Sequence, residues 1–104
     1  MIHAVATIEI VPGKREEYLD LFAELVPKVL AEDGCIEYGP TIDIESGIGR
    51  QSPMRENVVT VLEKWESLDA LKAHVVAPHM AEYKEAVKDL VTGLELQILT
   101  PAGP

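Results

Sequence analysis

Asn57-Val58-Val59-Thr60-Val61-Leu62-Glu63-Lys64-Trp65-Glu66-Ser67-Leu68-Asp69-Ala70-Leu71-Lys72-Ala73-His74, continued shortly by Ala77-Pro78-His79, is the stretch from which the rest of the 104-residue chain can be read. Its first nine residues are rich in β-branched side chains and apolar on both faces. Val58 and Leu62 fall on one face, Val59, Val61 and Trp65 on the other, so a strand buried from two sides is expected. Ser67 is suited to cap a helix, and Asp69 in the first turn complements the helix dipole. The helix should run from Leu68 to about Val75, where Ala77-Pro78 interrupts it. Pro78 can open a second helix, because a first-turn proline loses no hydrogen bond. Met80, Tyr83, Val87 and Leu90 form that helix's apolar stripe.

Upstream, His3 to Val11 alternates as a strand until Pro12-Gly13 breaks it. Tyr18, Leu21, Phe22, Leu25, Val26, Val29 and Leu30 then fall on one helical stripe, with Pro27 expected to kink the last turns. Asp33-Gly34 ends that helix, with Gly34 suited to a left-handed cap. A second strand is expected from Cys35 to Glu45, with Ile36, Tyr38, Ile42 and Ile44 on one side. Ser46 to Glu56 reads as a loop, long enough to be mobile or functional. Downstream come a last strand, Leu94 to Thr100, and a frayed tail, Pro101-Ala102-Gly103-Pro104.

The order β-α-β-β-α-β, with the second helix broken in two, defines an α+β class: a ferredoxin-like split-βαβ arrangement with helices on one face of a four-stranded antiparallel sheet. One domain is expected over residues 1–104, with its core at 2–100. The face opposite the helices is expected to carry Val59, Val61 and Trp65, too apolar to meet water. Packing against a second copy would cover it, so a homodimer is expected.

Composition narrows the partners. Nine basic against eighteen acidic residues give a net charge of -9, without local segregation of positive charge, which excludes nucleic acid as a natural partner. No run approaches a membrane span, and Met1-Ile2-His3-Ala4-Val5 lacks the basic and apolar regions of a signal peptide; a cytoplasmic protein is expected. The single Cys35 permits neither an intramolecular disulfide nor a cysteine metal cluster, and reads as a small buried hydrophobe.

Few residues carry chemistry. Gly47-Ile48-Gly49 lacks the strand-then-helix setting of a phosphate loop. His74 and His79 stand five apart across a helix break, so no shared metal is expected. Glu63 and Trp65, two apart on a strand, share a face, and a carboxylate and an indole on an apolar face both need partners. They could form a structural network, or the acidic and aromatic sides of a pocket. His74 is the best proton acceptor in the chain, although a lone histidine there is more often a packed, hydrogen-bonded residue than a catalyst. Tyr38 and Tyr83 could offer hydroxyls to a pocket or simply fill the core. His79, at a helix start, is a further pocket candidate or an exposed residue, and His3 carries no signal beyond its strand.

Glu63-x-Trp65-x-Ser67, then Ala70-Leu71-x-x-His74, then Pro78-His79, together with Gly34-Cys35-x-x-Tyr38 and Pro12-Gly13-Lys14, resembles the antibiotic-biosynthesis-monooxygenase family over about residues 2–100. The resemblance implies a ferredoxin-like fold paired through its sheets into a dimeric α+β barrel, with a small aromatic-binding pocket in each subunit. Members include quinol monooxygenases, polyketide-tailoring oxygenases, haem-degrading enzymes and an isomerase of a phosphorylated signalling molecule. The quinol and polyketide types use no cofactor, so none is expected, nor any metal. It further implies oxygenation of a quinol or similar phenol by O2, with His74 as base or hydrogen-bond donor and Trp65 as a ring wall. Glu63 would orient a neighbour, and Tyr38, Tyr83 and His79 would complete the substrate pocket. Polyketide-tailoring members carry an asparagine four residues before the tryptophan, where this chain has Val61. Haem-degrading members carry one in the first strand, and this strand has none. Both specialised activities therefore recede. Two other readings stay open: a non-oxidative isomerase, needing basic residues such as Arg50, Arg55 or Lys72 for a phosphorylated substrate, and a non-catalytic dimer that holds a small aromatic compound.

Overall fold

In a computed structural model that describes residues 1–103, the chain forms β1 (Ile2–Ile10), α1 (Arg15–Leu30), β2 (Cys35–Thr41), β3 (Val58–Trp65), α2 (Leu68–Val75), α3 (Pro78–Val87) and β4 (Val91–Leu99). The sheet has the order β2-β3-β1-β4, antiparallel throughout. This is the expected α+β class, with all helices on one side. Of the expected tail, Pro101 to Gly103 has no regular structure and is exposed, and Pro104 lies outside the described residues.

The alternation of β1 decides which face is inner. Ala4, Ala6, Ile8 and Ile10 are buried, and Ala4, Ala6 and Ile8 lie opposite Glu63, Val61 and Val59 of β3. Cross-strand partners share a face. Val59, Val61, Glu63 and Trp65 therefore point at the helices. That corrects the expectation that Val59, Val61 and Trp65 lie on the opposite, dimer-forming face: they are core. The two-sided burial expected of β3 is likewise not seen within one chain, since Leu62 on the outer face stays about half exposed.

The core joins this inner face to Tyr18, Phe22, Leu25 and Val29 of α1, which continues through Pro27 to Leu30. Ser67 caps α2 as expected, its hydroxyl accepting the Ala70 N–H at 3.1 Å. The buried residues of α2 are Leu71 and His74, one turn apart, while Leu68 and Val75 are about half exposed. Pro78 begins α3, and β4 starts three residues before its expected Leu94.

β2 stops at Thr41 instead of Glu45. Thr41 already lies opposite Thr60, so β3 offers almost no further length to pair with, and Ile42 and Ile44 emerge into solvent. The loop that follows is tied at its base, where Arg55 grips both carboxylate oxygens of Asp43 at 2.9 and 2.8 Å. That pairing holds the Asp43 carboxyl below the usual carboxylate range. Cys35 is half-buried at the start of β2, not fully enclosed, and burial raises its thiol pKa.

Gly34 fixes how α1 meets α2. Its φ of 82° suits the left-handed cap, and a β-carbon placed there would lie 2.6 Å from Cβ of Ala70. The Gly34 carbonyl also accepts the Glu66 N–H at 2.8 Å. The end of α1 is thereby pressed onto the start of α2, which brings Glu32 beside His74.

Candidate active site

A cavity of about 480 Å³ lies between the inner sheet face, α2 and α3. Its walls are mostly apolar, with Val61, Leu71 and Met80 among them, and four groups that can form hydrogen bonds face it from inside: Tyr38, Glu63, His74 and Tyr83. The cavity opens toward β4, which no helix covers, so Leu94 and Leu96 remain exposed on its lip. Lys84 and Lys88 stand on the lining from α3.

His74 is 3% exposed and firmly held. Its Nδ1 is 2.9 Å from Glu32 Oε2, and the same oxygen is 2.7 Å from Nε2 of His79. A carboxylate only accepts hydrogen bonds, so with Glu32 ionised both imidazoles donate to it. A neutral His74 that donates through Nδ1 has its lone pair on Nε2. That nitrogen faces Glu63, whose Oε1 is 4.0 Å away, within ion-pair range but too far for a hydrogen bond.

Glu63 and Trp65 satisfy one another, as both needed to: the indole N–H donates to Glu63 Oε1 at 2.9 Å. Burial raises the Glu63 carboxyl pKa above its ordinary value, against the opposing pull of the Trp65 hydrogen bond. The indole packs on the His74 ring with centroids 4.7 Å apart, and the Tyr38 ring meets the same imidazole edge-on at 5.4 Å. Tyr38 also stacks on Phe22 at 5.6 Å. Tyr83 is hydrogen-bonded to Tyr18 through their hydroxyls. Burial raises the pKa of all three tyrosines, so they stay neutral phenols.

Of the residues singled out from sequence, Glu63, His74, Tyr38 and Tyr83 meet at the cavity. Trp65 does not line it: the ring is fully buried behind His74 and Glu63 and shapes the site through them. His79 lies on the other side of Glu32, in a smaller hollow beside Leu25 and Glu82. His74 and His79 are brought together, because the break at Val76-Ala77 turns the end of α2 and the start of α3 toward one carboxylate. Among the described residues, Glu32, His74 and His79 form a group of side chains that could hold a metal ion, with one donor atom from each within 4.8 Å of the others; here hydrogen bonds occupy those atoms.

Sequence reasoning missed Glu32, which stands 42 residues from His74 in the turn after α1. Its only local signal was a carboxylate beside a glycine cap, a common surface combination. The demand came from the other side, since a buried histidine requires a partner for each nitrogen that donates.

Comparison with known proteins decides the family. The family model described as antibiotic biosynthesis monooxygenase matches residues 1–86. The chain belongs to this family. It is 42% identical over 103 residues to the "Probable quinol monooxygenase YgiN" of Escherichia coli, covering 97% of this chain and 98% of that protein. Solved structures share the fold. One from Deinococcus radiodurans, described under the same family name, superposes with a TM-score of 0.81 at 20% identity, covering all of this chain and 95% of its own. Rv0793 from Mycobacterium tuberculosis gives 0.79 at 22%, covering 99% and 96%. Among the described residues no helix is long and apolar enough to cross a membrane.

Proposed function

We propose that the protein is a cofactor-independent monooxygenase of a quinol or similar small phenol, with His74 as the base. The observation that carries this reading is the seating of His74: Nδ1 is occupied by Glu32, which leaves Nε2 as the proton acceptor beside a largely apolar cavity. The name of the E. coli relative supports a quinol as substrate. His74 takes a hydroxyl proton, and the electron-rich quinolate passes an electron to O2. The two radicals combine at a ring carbon; one oxygen atom stays in the resulting hydroxyquinone and the other leaves as water. The proton held by His74 is returned to the departing oxygen. All electrons come from the quinol, so the balance needs no further reductant. The protein's part is desolvation, orientation and proton handling.

Tyr38 and Tyr83 would offer neutral hydroxyls to the quinol oxygens, and Glu63 a buried carboxyl beside the reacting proton. Trp65 would act by fixing the His74 ring and Glu63, and His79 by holding Glu32, neither touching substrate. None of Arg50, Arg55 and Lys72 lines the cavity, while Lys84 and Lys88 do, so the quinol reading is preferred over the isomerase reading on the name of the relative rather than on the lining.

The protein would work as a homodimer in the cytoplasm. The outer sheet face still lacks a cover: Val5, Thr7, Val58 and Thr60 are only half-buried, and Leu62 is half exposed. A second copy laid on this face would bury them. The free Cys35 suits a reducing compartment.

Oxygen uptake by purified protein with a panel of quinols, without added flavin, haem or metal, tests the activity. Uptake well above the autoxidation blank, lost in His74→Ala, is expected. Uptake no faster than the blank across the panel overturns the assignment.

A further inference from the structure

We infer that Glu32 and His79 are positioning residues that make His74 a base: Glu32 holds it in the tautomer with Nε2 open to the cavity, and His79 clamps Glu32 in place. The inference rests on the reading of His74 as the base, and extends it to two side chains outside the cavity.

The geometry sets each role. Glu32 comes from the turn after α1, where Gly34 presses against Ala70, so its backbone is fixed against the first turn of α2. A glutamate side chain still has free rotations from that anchor. His79 removes them, because its Nε2 holds the same Oε2 atom that receives His74. The two imidazoles are thereby spaced by a single oxygen. Exposure rises outward through the three side chains, from 4% for His74 through 13% for Glu32 to 22% for His79. The base is dry, and its clamp reaches the surface.

Three consequences follow for His74. A ring free to rotate about its side-chain bonds would present either nitrogen to the cavity; a donor bond from Nδ1 to a carboxylate leaves only Nε2. The carboxylate lies beside the imidazolium that forms when the quinol gives up its proton, where its negative charge stabilises the cation in a site from which water is largely excluded. Trp65 and Tyr38, packed on the ring at 4.7 and 5.4 Å between centroids, resist its rotation out of this seat. Glu63 cannot substitute for Glu32, since it sits on the Nε2 side at 4.0 Å.

The experiment pairs a spectroscopic readout with a kinetic one. In protein labelled with nitrogen-15 histidine, long-range proton–nitrogen spectra report which nitrogen of neutral His74 carries hydrogen. Wild type is expected to show Nδ1 protonated and Nε2 bare. Glu32→Gln should lose that bias, because an amide can donate as readily as accept, and kcat for quinol-dependent oxygen uptake should fall about a hundredfold with KM within about twofold. Glu32→Asp keeps the charge and should recover part of the loss. His79→Gln retains an N–H donor and should keep the tautomer and a rate within about threefold of wild type, whereas His79→Ala should lose both. A wild-type His74 protonated on Nε2 overturns the inference, as does a Glu32→Gln protein with unchanged tautomer and rate. His79→Gln as impaired as His79→Ala removes the clamp role. Should no quinol raise uptake in wild type, the proposed function fails while the nitrogen spectra still decide the positioning. Should Glu32→Gln not fold, wild type, Glu32→Asp and the His79 pair carry the decision.

Discussion

Replacing Gly34 with alanine should destabilise the protein by about 3 kcal/mol, and the structure divides that figure into two parts. The backbone there has φ of 82°, which costs an L-residue about 1–2 kcal/mol. The added methyl would stand 2.6 Å from Cβ of Ala70, well inside contact, and relieving such overpacking costs about 1–3 kcal/mol. Ala70→Gly removes the obstructing carbon at a cost of about 1 kcal/mol, the helix penalty of glycine. With the clash removed in the same protein, the two changes do not add. The double variant Gly34→Ala/Ala70→Gly should fall short of the summed losses by about 1.5 kcal/mol, because only the backbone strain remains. Urea unfolding of the four proteins, at matched m-values, measures the cycle. Losses additive within about 0.5 kcal/mol would refute the close approach of the α1 turn to α2. A single-variant loss below about 1 kcal/mol would refute the strained backbone as well. The cycle bears on the site too, because this contact anchors Glu32.

Two further outcomes are expected. Glu63 has its pKa raised by burial, so the folded protein binds this proton more tightly than the unfolded chain. Its contribution is fully present below the ordinary carboxylate pKa and is lost as pH rises through the folded value. Over that window the stability of Glu63→Gln, which can still accept the Trp65 N–H, should gain on wild type by about 1.4 kcal/mol for each pH unit; denaturant curves from pH 4 upward check this, and parallel pH profiles would count against it. Leu62→Lys places a charge at the middle of the open sheet face, where Leu62 is now 46% exposed, and should weaken self-association at least tenfold without loss of the monomer fold. Light scattering across a dilution series, with circular dichroism as the fold control, reads it; an unchanged mass for the variant places the interface elsewhere.

How far the sequence could be read depended on the range of the interactions concerned. Strands, helices and turns are written in periods of two and 3.6 and in caps, so the Ser67 cap, the Pro78 start and the Gly34 stop were all legible. The strand end at Thr41 was not, since it depends on how much of β3 remains beyond Thr60. Nor was the direction of the Val59-Val61-Trp65 face. Alternation tells which side chains share a face, but which face the helices cover is a tertiary choice. Within the site, it was legible that Glu63 and Trp65 share a face and need partners, because they lie two residues apart on one strand; that each serves the other came from the structure. Glu32 was not, because nothing local links residue 32 to residue 74.

The break between α2 and α3 shows most clearly how a legible local signal leaves its tertiary consequence open. Pro78 does end one helix and start another, as its missing N–H demands. A continuous helix would place His74 and His79 five residues apart, about 140° around the axis, facing different surroundings. Instead Ala77 N–H bonds back to the His74 carbonyl at 3.1 Å, the chain turns within two residues, and α3 departs on a new axis. The new direction brings the His79 ring onto the oxygen that already holds His74. A helix interrupted between two histidines is thus the device that lets both reach one carboxylate. The proline, read first as a boundary, belongs to the architecture of the site.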